Sequence, residues 1–299
     1  MKNANAIPGG AKMPLDRKKK ATAIPGGGGG GAWLNGKQTE SSKKYGAKAF
    51  GPEGNISEAT GTSIFDPVLC EIAYRWFSPI GGVVIDPFAG GSVRGIVASR
   101  LGRKYFGVDL SERQIEANKS QSNIAGEIKP DWRCGDSRDI GNICKDVEAD
   151  FIFSCPPYAN LEVYSDHEKD LSTLEYSEFR NAYFEIIQKT APLLKADRFA
   201  CFVVGEVRDK KGFYYNFVGD TVEAFKAAGL SFYNEAIILT AIGSLPIRAG
   251  QAFSVSRKLG KTHQNVLIFV KGDSKKATEA CGEIEIDCDW ENLTPEADK

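Results

Sequence analysis

Five consecutive residues, Ser154-Cys155-Pro156-Pro157-Tyr158, carry the densest chemistry in the chain. They follow Asp150-Phe151-Ile152-Phe153, an apolar run of the kind that forms a strand buried on both faces. Two successive prolines can neither continue a hydrogen-bonded ladder nor enter a helix interior, so the strand must stop there in a stiff turn. In an open α/β sheet the carboxyl ends of the strands form the rim on which ligands sit. A rigid turn fixes its carbonyls as acceptors for an amine presented to them. The adjacent tyrosine offers a flat face on which a planar group, such as an extruded base, can stack.

Three carboxylates stand at comparable places earlier in the chain. Val83-Val84-Ile85-Asp86 is an apolar strand that runs through Pro87-Phe88-Ala89 into the glycine turn Gly90-Gly91-Ser92, and residues 93–101 then read as a helix that stops at Gly102. A strand, a tight glycine turn and a helix bring backbone N–H groups close to a ligand. The spacing is not the G-x-G-x-x-G of dinucleotide sites. Lys104-Tyr105-Phe106-Gly107-Val108-Asp109 is a second strand ending in a carboxylate, and Ser111 with Gln114 forms a capping box for the next helix. An acidic residue there suits a two-pronged grip on ribose hydroxyls. A third short strand near 132–134 ends in Gly135-Asp136-Ser137. Each carboxylate alone reads more readily as a helix cap or turn residue. Their recurrence at successive strand ends, followed by the Pro-Pro-Tyr turn, is the signal.

The elements that position these residues follow from periodicity. A helix opens at Asp66 with Pro67 at its first position, and Leu69, Ile72, Ala73 and Trp76 share a face. Beyond the Pro-Pro turn, 159–175 is polar and includes Asn160, Tyr164, Asp166, His167 and Asp170, a loop of the kind that closes on substrate. His167 reads as a solvated histidine rather than a general base. A helix over 176–195, the strand 198–204, a helix over 216–228 and strands at 237–239 and 265–270 complete the pattern. The segment 243–264 holds Arg248, Arg257, Lys258 and Lys261 and no acidic residue, which suits phosphate contacts and equally a solvated hairpin loop. Arg208, Lys210 and Lys211 form a smaller basic patch.

The run Asp-Pro-Phe-Ala-Gly-Gly at 86–91, Gly-Val-Asp-Leu at 107–110, Gly-Asp-Ser at 135–137 and Cys-Pro-Pro-Tyr at 155–158 resembles the amino-group DNA methyltransferases of phages and bacterial restriction-modification systems. These enzymes use S-adenosylmethionine to methylate adenine N6 or cytosine N4 of a base flipped out of duplex DNA. The resemblance spans about residues 60–272 and implies a Rossmann-like, seven-stranded class I methyltransferase sheet. It implies that Asp86, Phe88, Gly90 and Gly91 shape the methionine pocket, that Asp109 holds the ribose, and that Asp136 with Ser137 meets the adenine of the cofactor. It further implies that Thr62, Phe65 and Asp66 close over the methionine end, and that Cys155, Pro156, Pro157 and Tyr158 form the catalytic turn. Arg248, Arg257, Lys258 and Lys261 are the expected DNA contacts. Two positions depart from the family. Gly91-Ser92 reverses its usual Ser-Gly, and Cys155 stands where Asp, Asn or Ser normally accepts a hydrogen bond from the target amine. Sulfur is a weak acceptor. The second acceptor is therefore weaker unless Ser154 or Asn160 substitutes for it. Covalent attack by Cys155 on a pyrimidine ring is a lesser alternative, because enzymes of that chemistry place the cysteine after the proline. An RNA or small-molecule methyltransferase, or a cofactor-binding module without activity, are the other readings.

Composition bounds the rest. The 299 residues, 42% hydrophobic and 26% charged, suit a globular protein. The net charge of −1 hides an asymmetry: residues 1–49 carry ten Lys/Arg against Asp16 and Glu40, and 274–299 carry eight Asp/Glu against three Lys. Residues 1–54 are expected to be a flexible Gly/Pro-rich arm, 55–273 the catalytic domain, and 274–299 a disordered acidic tail. The arm repeats Ala-Ile-Pro-Gly-Gly at 6–10 and 23–27. The near P-loop at 31–38 ends in Gln38 where magnesium needs a hydroxyl, and it is rejected. No apolar run approaches a membrane span, and seven cysteines without a Cys-x-x-Cys pair fit reduced thiols, so a cytoplasmic location is expected. Two histidines, far apart, suggest no metal site.

Overall fold

The computed structural model describes residues 33–34, 37–38, 65–158, 168–239 and 245–284. The chain divides into two units, 1–60 and 61–299. The described residues of the first form a short antiparallel pair, Trp33 opposite Gln38 and Leu34 opposite Lys37.

The second unit is built on seven strands: β1 (Val83–Asp86), β2 (Lys104–Asp109), β3 (Asp131–Cys134), β4 (Ala149–Ser154), β5 (Leu194–Val204), β6 (Ser231–Leu239) and β7 (His263–Lys271). Their spatial order is β3-β2-β1-β4-β5-β7-β6. The first five are parallel, and β7 is antiparallel to both β5 and β6. This is the Rossmann-like class I methyltransferase sheet, as expected. The strand order reverses between β1 and β4, and that switch point is where an open α/β sheet leaves a crevice for ligands.

β4 is central, and all six of its residues are buried. Phe151 and Phe153 project into a core shared with α1 (Pro67–Phe77), α2 (Val93–Arg100), α3 (Glu112–Ser120) and α7 (Ser274–Cys281). Ile152 projects into the opposite core, which is built with α4 (Tyr176–Thr190) and α5 (Phe217–Ala227). A strand covered on both faces needs apolar residues at every position, which is why this stretch reads as a continuous run.

Two expectations about elements are corrected. α1 begins as expected, with the Asp66 carboxylate accepting from the Val68 and Leu69 N–H groups at 2.8 and 3.3 Å. Its buried face, however, is Cys70, Ala73 and Tyr74, while Ile72 and Trp76 are exposed. The helix is turned by about one residue, roughly 100°. Tyr74 decides this: its ring meets Phe151 and Phe153 edge-on, and its hydroxyl donates to the Arg94 carbonyl at 2.9 Å, so a large side chain is buried with its polar atom satisfied. The second correction concerns 274–299, read as a disordered tail. Its first eight residues are α7, capped by Asp273, with Ala277 and Cys281 buried one turn apart and Lys275, Lys276 and Glu279 exposed. Residues 245–256 of the basic insertion likewise form a helix, α6 (Leu245–Ser256). Among the described residues no helix is long and apolar enough to cross a membrane.

Candidate active site

The turn after β1 is held by a buried ion pair. Asp86 is fully buried and takes four hydrogen bonds. Oδ1 accepts from the Phe88 N–H at 3.0 Å and the Ser154 hydroxyl at 2.5 Å, and Oδ2 accepts from Arg94 Nε at 2.6 Å and the Tyr105 hydroxyl at 2.7 Å. The same guanidinium donates to the Phe88 and Ala89 carbonyls at 2.6 and 3.0 Å, and its carbon lies 4.8 Å from the centre of the Phe65 ring. Burial alone lowers an arginine, but Asp86 outweighs it and holds Arg94 above its ordinary value. Asp86 therefore shapes the turn from beneath, with its oxygens directed at protein donors. The sequence motifs do not single out Arg94, although a lone arginine inside the apolar run 93–98 is an available signal.

Beyond this pair the turn opens to the rim. Gly90 sits at φ +49°, gives its N–H to Asp109 Oδ2 at 2.9 Å and accepts from Asn118 Nδ2 at 2.7 Å. Gly91 is exposed, and a Cβ there would meet nothing within 4 Å. Asp109 ends β2, and its other oxygen accepts from the Ser111 N–H at 2.9 Å. An ionised carboxylate has about four acceptor sites, so both oxygens keep capacity for a ligand. Burial pushes Asp109 above its ordinary value, against the pull of the two backbone donors.

Asp136 differs. It caps the turn Ser137–Asp139 and is gripped by Arg138, with Nε and a terminal nitrogen at 2.7–3.0 Å. Partial burial pushes the carboxyl up, but Arg138 prevails and holds it below the ordinary range. Ser137 is buried and donates to the Pro87 carbonyl at 2.5 Å. The expected pair for an adenine is thus engaged internally. Asp66, likewise, is an exposed helix cap, while Phe65, also expected over the methionine end, lies against the buried pair.

The Pro-Pro-Tyr turn follows β4 as the sequence predicts. Ser154 is fully buried with its hydroxyl donating to Asp86, so its oxygen is not presented at the surface as an acceptor in place of Cys155. Cys155 is half-buried, with Sγ 3.7 Å from the Tyr158 hydroxyl. Tyr158 is fixed from two sides. Its hydroxyl accepts from Gln264 Nε2 at 2.5 Å, and its ring stands perpendicular to Phe217 with centroids 6.2 Å apart. Thr62, the loop residues Asn160, Tyr164, Asp166 and His167, and the side chain of Arg248 lie outside the described residues.

The two basic segments, far apart in sequence, meet at this end of the sheet. The Arg208 guanidinium carbon lies 3.6 Å from the centre of the Tyr214 ring, and Lys261 Nζ lies 5.3 Å from the same centre. The Lys258 side chain runs against Gly212, where an added Cβ would collide with it. Arg257, at φ +55°, packs its guanidinium over Phe253. Gln264, three residues after Lys261, is the residue that holds Tyr158.

No protein-family model matches this sequence, and no curated protein matches it. Similar solved structures exist. TrmN from Thermus thermophilus is 16% identical, with a TM-score of 0.48 over 71% of this chain and 51% of that one, so the chain spans about half the length of that protein. A TehB-like SAM-dependent methyltransferase from Corynebacterium glutamicum is 18% identical, with a TM-score of 0.43 over 71% of this chain and 91% of that one. Magnesium protoporphyrin IX methyltransferase from Synechocystis PCC 6803, solved with bound SAM, is 13% identical, with a TM-score of 0.43 over 69% of this chain and 76% of that one. These likenesses concern the fold, and none carries a residue's role across.

Proposed function

We propose that this chain is an S-adenosylmethionine-dependent methyltransferase that modifies an exocyclic amine of a flipped base in DNA, with adenine N6 ahead of cytosine N4. The residues fit the cofactor: an exposed glycine turn without side chains and a carboxylate with spare acceptor sites stand together on the rim of β1 and β2. When bound, S-adenosylmethionine supplies a methyl group on a positively charged sulfur. Asp109 would hold the ribose hydroxyls, and Phe88 with the Gly90-Gly91 turn would line the methionine end. The Pro156 carbonyl accepts a hydrogen bond from the amine, and the fixed Tyr158 ring stacks on the base. Most of the acceleration then comes from holding amine and methyl in contact.

The observation that carries the choice of a polyanion is the meeting of Arg208 and Lys261 at Tyr214, with Lys258 against nearby Gly212, on the segment that leads to Gln264 and its hydrogen bond to Tyr158. Cations that meet at a catalytic rim from separate segments suit a phosphate backbone passing beside the flipped base. The test is charge reversal. Arg257→Glu with Lys258→Glu should slow DNA methylation by about tenfold or more, by removing phosphate contacts, and leave cofactor affinity within about twofold. Equal loss of both would contradict the assignment. Methylation of RNA in place of DNA, with the same sensitivity to charge reversal, would transfer the reading to RNA.

A further inference from the structure

The reaction proposed above calls for two acceptors around the target amine, and the Pro-Pro turn supplies one. Holding both N–H bonds favours the pyramidal nitrogen whose lone pair attacks, and preorganised acceptors act most strongly where charge develops. Ser154 is turned inward onto Asp86, and Cys155 offers only sulfur.

The segment that follows the neighbouring strand β5 carries a carboxylate next to a residue that lies beside the turn. β5 runs parallel to β4 with Ser154 opposite Phe202, and it ends at Val204, two residues before Glu206. The chains stay adjacent there: a side chain on Gly205 would meet Tyr158 Cε1 at 4.0 Å and Gln264 Cγ at 3.8 Å. Phe202, Val204 and Val207, on either side of Glu206 in the chain, lie in the core against which Phe88 and Tyr158 pack. Its Oε2 is buried and has no hydrogen-bond partner among the described residues. Such atoms are rare in folded proteins, because a polar group withdrawn from water needs a partner. The charge of Glu206 is also felt at the Tyr176 hydroxyl, which burial and Asp220 raise most and Glu206 raises further.

We propose that Glu206 is the second acceptor for the exocyclic amine and receives its proton. The nitrogen lone pair forms the new N–C bond to the methyl carbon as the C–S bond breaks, with that bond's electrons remaining on sulfur. The nitrogen, now positively charged, gives one proton to Glu206 Oε2. The neutral methylamino base departs, and solvent water then takes the proton from Glu206.

This rests on the function proposed above, and its test separates the two. Glu206→Leu, Glu206→Gln and the wild type are compared for kcat on DNA, cofactor affinity by calorimetry, and melting temperature. Glu206→Leu should lower kcat about 100-fold or more, and Glu206→Gln, which keeps one carbonyl oxygen, less. Cofactor affinity should stay within about twofold, and the melting temperature should hold or rise, since leucine removes a buried oxygen that has no partner. A melting temperature that drops while the folded protein keeps its kcat would make Glu206 structural and overturn the proposal. So would a Glu206→Leu kcat within about threefold of an active wild type, because removing a proton acceptor costs more than that. A wild type that labels no DNA would sink the functional reading, and this assignment with it.

Discussion

Asp86 and Arg94 show how the site is kept rigid where it must be. The pair lies beneath the glycine turn, out of water, and each oxygen of Asp86 has two donors. Breaking such a pair leaves an uncompensated charge, so Arg94→Met should destabilise by about 3–5 kcal/mol in urea unfolding. A loss under about 1 kcal/mol would mean that the turn is held by other means. Asp150 gives a pH prediction. Burial pushes it up, but the Val83 N–H, Lys195 and Arg198 hold it below its ordinary 3.8. With the folded value below the unfolded one, its contribution is complete above the unfolded value and is lost as pH falls through the folded one. Asp150→Asn should therefore cost stability at pH 7, and the gap to wild type should close as denaturation curves are taken below pH 3.8. At this scale the sequence shows which residues stand at the strand ends but not where their side chains point. Asp86 and Asp136 have the right types for ligand contacts, yet Arg94 and Arg138 claim them. Both arginines are close in sequence to the carboxylates they bind, and neither pairing follows from residue type alone.

Elements are legible wherever a local rule decides them. Pro156-Pro157 has to end β4, Asp66-Pro67 has to start α1, and Ser111 has to cap α3, and each does so. The errors arise where tertiary contacts choose between similar patterns. α1 offers two apolar faces one residue apart, and Tyr74 selects one by reaching the Arg94 carbonyl. α7 is hidden because eight acidic residues in 274–299 outweigh the two positions that matter, Ala277 and Cys281. Ala277→Glu would force a charge into the buried face of α7 and should cost on the order of 3 kcal/mol, read as a lowered melting temperature. A tail that does not pack would show no change.

For the whole molecule, the sheet brings the glycine turn, Asp109 and the Pro-Pro-Tyr turn to one rim, and β7 brings the basic segment beside it. The fold is legible through the motifs at four successive strand ends, whose resemblance to the amino-group methyltransferases implies the seven-stranded sheet. The meeting of Arg208 with Lys261 around Tyr214 is not, because it depends on β5 and β7 pairing side by side although two helices and another strand separate them along the chain. A net charge of −1 conceals this cationic corner. DNA affinity should therefore fall steeply with salt, and Lys258→Glu should flatten a plot of log affinity against log salt by about one unit for each phosphate that the side chain no longer neutralises. An unchanged slope would remove Lys258 from the interface. The central claim is tested most directly by mass spectrometry of nucleosides from unmethylated plasmid DNA incubated with the protein and methyl-labelled S-adenosylmethionine. Labelled N6-methyladenine, or N4-methylcytosine in its place, is the expected result. Labelled 5-methylcytosine would contradict transfer to an amine and make Cys155 the nucleophile, and DNA without label would contradict the claim outright.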